Sequence, residues 1–101
     1  MAAPLDLVHL PALARSIPAW QPHAALTVNQ ATLRVVRFEG PFRELHTHDA
    51  DECYVVLEGE LLVEIDGGES IHVAKGDACV VRAGTRHRPR ALPHASVLLV
   101  T

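Results

Sequence analysis

Short apolar runs dominate the chain from Leu26 to its end, and glycines separate them. Within the runs apolar and polar residues alternate, which is typical of β-strands that are buried on one face. No apolar-periodic segment of ordinary helix length interrupts this pattern, so parallel βαβ architecture is disfavoured. The pattern predicts strands at residues 32–38, 52–57, 60–65, 70–73, 78–81 and 95–101.

Glycine marks the predicted turns, since it adopts positive φ at little steric cost. The spacing of roughly eight to twelve residues per strand and turn is typical of an antiparallel sandwich or barrel. One turn, Asp66-Gly67-Gly68, predicts a hairpin between the runs on either side of it. The sequence contains no internal repeat, so we expect one all-β barrel rather than two fused ones.

Prolines set the N-terminal segment apart. Four of the first 22 residues are proline, and proline at this density is excluded from central strands. Residues 11–16 can form one helical turn with proline at its start. Trp20 either lines a pocket or seals one end of the barrel, and we favour sealing because no pattern of polar neighbours surrounds it. We therefore predict an N-terminal arm over residues 1–25 and a barrel domain over residues 26–101.

The length and charge of the chain limit its partners. With 101 residues, about half of them apolar, it can bury one core. The net charge of −3 is spread along the sequence and provides no basic patch for a phosphate backbone, so we expect no nucleic-acid partner. No positively charged segment precedes a long apolar run, and no run approaches the ~20 apolar residues of a membrane span. We expect a cytoplasmic protein without a membrane partner.

The two cysteines, Cys53 and Cys79, lie inside apolar runs and do not form a C-x-x-C pair. We expect both to be free, buried thiols. The alternative is a catalytic thiol, which needs an electropositive and partly exposed setting that the sequence assigns to neither cysteine.

Three histidines and a glutamate have the spacing of a metal site. His46 and His48 are two residues apart, so on an extended strand both imidazoles project from the same face. Glu52 begins the next run, and we place these three residues on one hairpin. His87 is a fourth donor from a distant strand. This donor set suits one divalent transition metal ion, such as zinc, nickel, iron or manganese.

The same ligand residues belong to a longer pattern with regular spacing. That pattern resembles the complete first motif of the cupin superfamily: Gly40-x5-His46-x-His48-x3-Glu52-x6-Gly59. The resemblance implies a small jelly-roll barrel, or double-stranded β-helix, that binds its metal through the three histidines and the glutamate. Residues 51–57 and 84–91 are also similar to the small cupins grouped with mannose-6-phosphate isomerases.

A second motif supports the resemblance and departs from it at two positions. The stretch from Gly76 through Gly84 to His87 is similar to the second cupin motif. Arg82 stands where a proline is usual in that motif, and Ala91 stands where an asparagine is usual. The histidine that the family uses for metal binding is retained at position 87.

Other polar side chains are candidates for contacts with a small-molecule ligand. We predict ligand contacts from Arg82 and Tyr54, and Tyr54 is also the one catalytic candidate, as a hydrogen-bond donor or acid. The alternatives are a solvated arginine-bearing face and a tyrosine packed in the core. Further arginines follow near His87: Arg86, Arg88 and Arg90. Three histidines are not assigned to the metal: His23, His72 and His94. Three apolar residues are predicted to form pocket wall or core: Phe38, Phe42 and Val56.

The sequence leaves three functions open. With neutral histidines the metal site has a net charge of about +1, which favours an anionic or enolate-like ligand. The first function is a metal-dependent isomerase or epimerase that acts on a sugar or a small oxygenated acid. The second is a metal-dependent dioxygenase, and the third is a binding module without turnover. We also expect a homodimer, formed through the arm and the outward residues Cys53, Val55 and Leu57.

Overall fold

The computed structural model describes residues 4–42 and 44–101, so the first three residues of the predicted arm lie outside it. One short helix precedes the strands, and it confirms the helical turn expected at residues 11–16. The elements are α1 (Leu10–Ser16), β1 (His23–Val28), β2 (Ala31–Pro41), β3 (Glu52–Ile65), β4 (Ile71–Ala74), β5 (Ala78–Val81) and β6 (His87–Val100). Within the described ranges no helix is long and apolar enough to cross a membrane.

The strands form one antiparallel sheet that wraps around a single core. Their order is β1-β2-β6-β3-β4, and β5 pairs with the first part of β3. The last strand, β6, therefore lies between β2 and β3 and pairs with both. The predicted all-β, antiparallel barrel is confirmed.

Three strands are longer than the hydrophobic pattern predicts, and the first of them, β2, extends to Pro41 instead of ending at residue 38. β3 runs without a break from Glu52 to Ile65, and register shifts against β6 between residues 56 and 58 and between residues 59 and 61 accommodate the irregularity around Gly59. β6 begins at His87 and not at residue 95. Its first half contains Pro89 and Pro93, which cannot donate ladder hydrogen bonds and therefore obscure the strand in the sequence.

The predicted hairpin and the predicted face of β3 are confirmed. β3 and β4 pair antiparallel across the turn at residues 66–68. Along β3, Tyr54 and Val56 face the core and are buried. The expectation for the cysteines is half wrong: Cys53 and Cys79 are free, but each is only partly buried. Cys53 faces outward, where the sheet meets solvent, whereas Cys79 packs at the margin of the core.

The core consists of aliphatic side chains from five strands together with two aromatic rings. Its members are Val36, Phe38, Tyr54, Val56, Leu61, Val63, Val73, Val81, Ala91, Ala95, Val97 and Leu99. Burying a side chain of this kind contributes about 1.5–3 kcal/mol, so this interior is the main source of stability. The helix α1 lies on the outside of the sheet against β2, β6 and β3, where Ala14 is fully buried.

Gly59 lies closer to a neighbouring strand than any residue with a side chain can. It has φ of 78°, and a Cβ atom at this position would overlap the carbonyl oxygen of His94. Gly67 also has positive φ, of 68°, but a Cβ there would meet no atom within 4 Å. A substitution at Gly67 therefore introduces backbone strain alone, whereas a substitution at Gly59 introduces the same strain and a steric clash.

We expect Gly59→Ala to destabilise the barrel more than Gly67→Ala does. The change at Gly67 is expected to cost about 1–2 kcal/mol, from the left-handed backbone alone. The change at Gly59 is expected to cost about 1–3 kcal/mol more, because β3 and β6 must move apart. Urea unfolding of both variants measures the difference. Equal losses would show that the two strands separate freely at this point.

Candidate metal centre

The segment that carries the first two predicted ligands is a crossing loop and not a hairpin. β2 and β3 do not pair with each other, because each pairs with β6 instead. The prediction that His46, His48 and Glu52 share one hairpin is therefore wrong. Both histidines lie in the loop after β2, and Glu52 begins β3.

A pair of backbone hydrogen bonds fixes this loop against β6. The His46 amide donates to the His87 carbonyl, and the His87 amide donates to the His46 carbonyl, each over 2.9 Å. This is the hydrogen-bonded pair of an antiparallel ladder, formed here by a single bridge. The bridge places the two imidazoles beside each other, although they lie 41 residues apart in the chain.

The three predicted histidine ligands form one cluster. The ring centroid of His46 lies 4.7 Å from that of His48 and 4.6 Å from that of His87. The centroids of His48 and His87 are 5.5 Å apart. One potential ligand atom from each residue lies within 4.8 Å of the other two. Burial is graded across the cluster: the His87 ring is fully buried, whereas the side chain of His48 is 41% exposed.

Backbone carbonyls orient two of the three imidazoles. The Nδ1 atom of His87 donates to the Thr85 carbonyl over 2.8 Å, and the Nδ1 atom of His46 donates to the Glu44 carbonyl over 3.1 Å. Because a carbonyl only accepts hydrogen bonds, Nδ1 carries the hydrogen in both rings. The lone pair is then on Nε2 in the neutral imidazole. Metal-binding histidines are commonly oriented in this way.

Glu52 lies beside the cluster with a carboxylate oxygen directed at it. Its Oε1 atom is 3.7 Å from Nε2 of His48 and 3.9 Å from Nε2 of His87. Ligand atoms that surround one ion at about 2.1 Å lie about 3–4.2 Å from one another. The three imidazoles thus have the spacing and the chemistry that a divalent transition metal requires, and the Glu52 carboxylate lies beside two of them.

The phenol of Tyr54 lies beside this set. It is buried, and its Oη lies 3.4 Å from Nε2 of His87, to which it donates a hydrogen bond. Burial, followed by the negative charge of Glu52, raises the pKa of Tyr54 far above its ordinary value. The phenol therefore stays protonated and acts as a donor.

Aromatic side chains cover one side of the cluster. Phe42 lies against His46, with ring centroids 5.0 Å apart, and Trp20 lies 5.5 Å from Phe42. Trp20 also stacks on Phe38 at 4.7 Å. Its backbone has a φ of 67°, and its amide donates to the Arg37 carbonyl. The N-terminal segment thus covers this end of the core, next to the metal centre.

All four arginines near His87 pair with carboxylates. Arg82 pairs with Asp51, Arg86 with Asp66, and both Arg88 and Arg90 with Glu64. The hydrogen bond from Arg90, supported by Arg88, lowers the pKa of Glu64. These pairs correspond to the solvated arginine face that the sequence offered as the alternative to ligand binding. The second departure from the cupin pattern, Ala91, is buried in the core.

Sequence reasoning did not identify Asp51 as a part of the site. Its carboxylate accepts a hydrogen bond from the Ala83 amide over 2.8 Å and thereby connects the loop before β3 to the turn before β6. The one feature of the sequence that could have indicated its role is its position immediately before the predicted ligand Glu52. The carbonyls of Glu44 and Thr85, which orient the imidazoles, could not be predicted because every residue has a backbone carbonyl.

Comparison with known proteins identifies the family. The family model Cupin_2, described as a cupin domain, matches residues 36–101. The uncharacterized protein YdbB of Bacillus subtilis (strain 168) is 36% identical over 64 residues, which make up 63% of this chain and 57% of YdbB. The chain therefore spans less than two thirds of the length of that relative.

Solved structures share the fold over most of the chain. Protein NMB1881 from Neisseria meningitidis superposes with a TM-score of 0.84 at 26% identity, covering 94% of this chain and 97% of that one. Hydroquinone 1,2-dioxygenase PnpCD, solved in complex with Cd2+ and 4-hydroxybenzonitrile, superposes with a TM-score of 0.77 at 20% identity. That match covers 92% of this chain and 70% of the other, and at this identity it shows the fold alone.

The burial of His87 predicts a pH-dependent stability of the metal-free protein. Burial lowers the pKa of His87 below the ordinary value of about 6.5 that it has in the unfolded chain. The unfolded chain therefore takes up the proton first, and stability is lost as the pH falls from about 6.5 through the lower pKa of the folded state.

Urea unfolding in the presence of chelator, at about pH 7.5 and about pH 5.5, tests this expectation. The wild-type free energy of unfolding should fall between the two conditions, and His87→Gln should lose a part of that fall. His23→Gln, which changes an exposed histidine, is the matched control and should behave like the wild type. The same fall in wild type and His87→Gln would contradict the assignment.

Proposed function

The chain belongs to the cupin family, and we propose that it binds one divalent transition metal ion and uses it to oxidise a small oxygenated molecule. The proposed ligands are His46, His48, Glu52 and His87. One observation carries the proposal: potential ligand atoms of the three histidines lie within 4.8 Å of one another, and a Glu52 oxygen lies 3.7 Å and 3.9 Å from two of the ring nitrogens.

The properties of the donor set support a transition metal. Imidazole nitrogen and carboxylate oxygen suit zinc, nickel, iron and manganese, whereas calcium and magnesium prefer oxygen alone. Because burial lowers the pKa of His87, this ligand is neutral and ready to bind at neutral pH. A Cd2+ complex of the structurally similar PnpCD is consistent with a metal in this fold.

When bound, such an ion supplies a Lewis acid and, where it is iron or manganese, electron-transfer chemistry with dioxygen. The chain's own residues bind and orient the small-molecule ligand. Tyr54, as a protonated phenol, donates a hydrogen bond to a ligand oxygen. Phe42 and Trp20 keep water from one side of the centre.

The described part of the chain supports oxidation better than isomerisation. An isomerase needs a base that removes a proton and returns it. The titratable groups that meet His87 are His46, His48, Glu52 and Tyr54. The first three are proposed ligands, and the raised pKa of Tyr54 keeps it an acid. We therefore favour dioxygenase activity over the isomerase activity that the similarity to cupins grouped with mannose-6-phosphate isomerases suggests.

Tyr54 is the proposed ligand-contacting residue. The lone pair of His87 Nε2 accepts the Tyr54 hydrogen bond or binds the metal, and it cannot do both. Metal binding therefore frees the hydroxyl proton for a ligand next to the ion or for Glu52. Arg82 is a weaker candidate for ligand contact than the sequence predicts, because its guanidinium pairs with Asp51 and is largely exposed.

We further propose that a second copy of the chain covers the outer face of the sheet. A row of apolar side chains crosses this face in register, one from each of five strands, and points away from the core. The row consists of Leu26, Leu33, Val100, Cys53 and Val80. Leu5 and Leu7 of the arm are also almost fully exposed. Contiguous apolar surface of this kind is typical of protein interfaces. The cytoplasmic location remains a prediction from the sequence.

Metal analysis of protein purified without a histidine tag tests the site. We expect close to one ion per chain in the wild type and a large loss in His48→Ala, because this removes an exposed ligand without opening the core. His72→Ala is the matched control, since His72 is exposed and pairs only with Glu60. A wild type that takes up no zinc, iron or manganese would refute the proposal.

Loaded protein then distinguishes the three functions. Oxygen uptake with iron or manganese, measured against a panel of sugars, hydroxy acids and phenols, supports the dioxygenase. Interconversion of a sugar without oxygen uptake supports the isomerase instead. Binding of a panel member without conversion identifies a binding module.

Tyr54→Phe tests the ligand contact directly. With Co2+ as the metal and azide as the probe anion, we expect azide affinity to fall about three- to tenfold, as one hydrogen bond is lost. Optical titration of the Co2+ protein gives both constants, and the Co2+ affinity of the variant should stay close to that of the wild type. Unchanged azide binding would show that the hydroxyl serves only to fill the core.

A further inference from the structure

Two loops far apart in the sequence carry the proposed metal ligands. The loop before β3 holds His46 and His48 and leads into Glu52, and the turn at residues 82–86 leads into His87. Neither loop contains regular secondary structure apart from the single bridge at His46. The distance between His48 and His87 therefore depends on how the two loops are held together.

The carboxylate of Asp51 connects the two loops through two hydrogen bonds, one to each of its oxygens. Its Oδ1 atom accepts a hydrogen bond from the Ala83 amide over 2.8 Å, and its Oδ2 atom accepts one from Nη1 of Arg82 over 3.1 Å. Next to it, the Gly84 amide donates to the His48 carbonyl over 2.9 Å. Two consecutive amides of the turn are thus held by the segment that carries His48 and Glu52.

We propose that Asp51 is a positioning residue that holds the turn before His87 against the loop of the other ligands, so that the site is assembled before metal arrives. This inference rests on the proposed function. Its energetic effect is preorganisation: a loop that is already in place loses less conformational freedom when the ion binds. Groups that orient metal ligands typically change metal affinity by about 10- to 100-fold when removed.

The contact with the Ala83 amide carries this effect, and the ion pair contributes little. The side chains of Arg82 and Asp51 are 75% and 52% exposed, and exposed ion pairs contribute about 0–1 kcal/mol. The hydrogen bond from the amide is the shorter of the two contacts. It is also the one that acts on the backbone leading to His87.

Four variants separate geometry from charge. Asp51→Asn keeps an oxygen for the Ala83 amide and loses the charge, whereas Asp51→Glu keeps the charge and displaces the oxygen by one methylene. Asp51→Ala loses both, and Arg82→Ala loses only the ion pair. Asp66→Asn is the matched control, because it removes the same charge from an exposed pair with Arg86.

The measurement is the Co2+ affinity of the full chain, by competition with a chelator, together with the Co2+ absorption spectrum. We expect Asp51→Ala to bind Co2+ about 10- to 100-fold more weakly, with an altered spectrum. Asp51→Asn, Arg82→Ala and Asp66→Asn should stay within about fivefold of the wild type. Asp51→Glu should fall between the two groups, and it replaces Asp51→Ala if the latter does not fold.

Three results would overturn the inference. The first is wild-type affinity in Asp51→Ala and in Asp51→Glu, and the second is a loss in Arg82→Ala as large as that in Asp51→Ala. The third is an Asp51→Asn variant as weak as Asp51→Ala, since charge would then be the cause. A wild type that binds no Co2+ would refute the proposed function itself, and this outcome is distinct from wild-type binding that the Asp51 changes leave intact.

Discussion

The reciprocal hydrogen bonds between the backbones of His46 and His87 are the contact on which the site depends. They join the loop after β2 to the first residue of β6, which is the strand between β2 and β3. Without this bridge the loop would have no ladder partner, because β2 and β3 do not pair with each other. The barrel thus determines which two points of the chain meet, and the bridge determines their register.

The candidate metal centre is a group of polar residues at the edge of an apolar core, and the burial of His87 explains how it is built. A buried polar atom without a partner costs about 1–3 kcal/mol, so His87 must be satisfied whether or not an ion is present. Its Nδ1 atom has the Thr85 carbonyl and its Nε2 atom has the Tyr54 hydroxyl. Among the described residues no buried side-chain nitrogen or oxygen lacks a partner. The described buried polar atoms of the candidate centre are therefore satisfied without an ion, and in the proposed function metal binding would replace the Tyr54 partner of His87.

Spacing along the sequence predicts the candidate ligands better than it predicts the contacts that hold these ligands in place. The alternation of residues places Val56 in the pocket wall or core, and the two-residue spacing of His46 and His48 groups them as ligands; both expectations depend only on neighbouring residues. The supposed hairpin fails because pairing with β6 is a contact between distant segments, which no local pattern encodes. The early start of β6 is hidden by its prolines, and the contact of Asp51 with Ala83 joins a side chain to a distant backbone amide.

The same physics limits what chemistry the chain can perform. Each imidazole that the fold orients toward the centre is committed as a proposed ligand, and the carboxylate of Glu52 lies among them. Tyr54 is held in its acid form by burial and by the charge of Glu52. The four arginines around His87 each pair with a carboxylate, and two of them share Glu64. Among the described residues such a site has one donor, an aromatic wall and no uncommitted base, which fits binding and orientation of a small molecule; in the proposed function the reaction would depend on the ion.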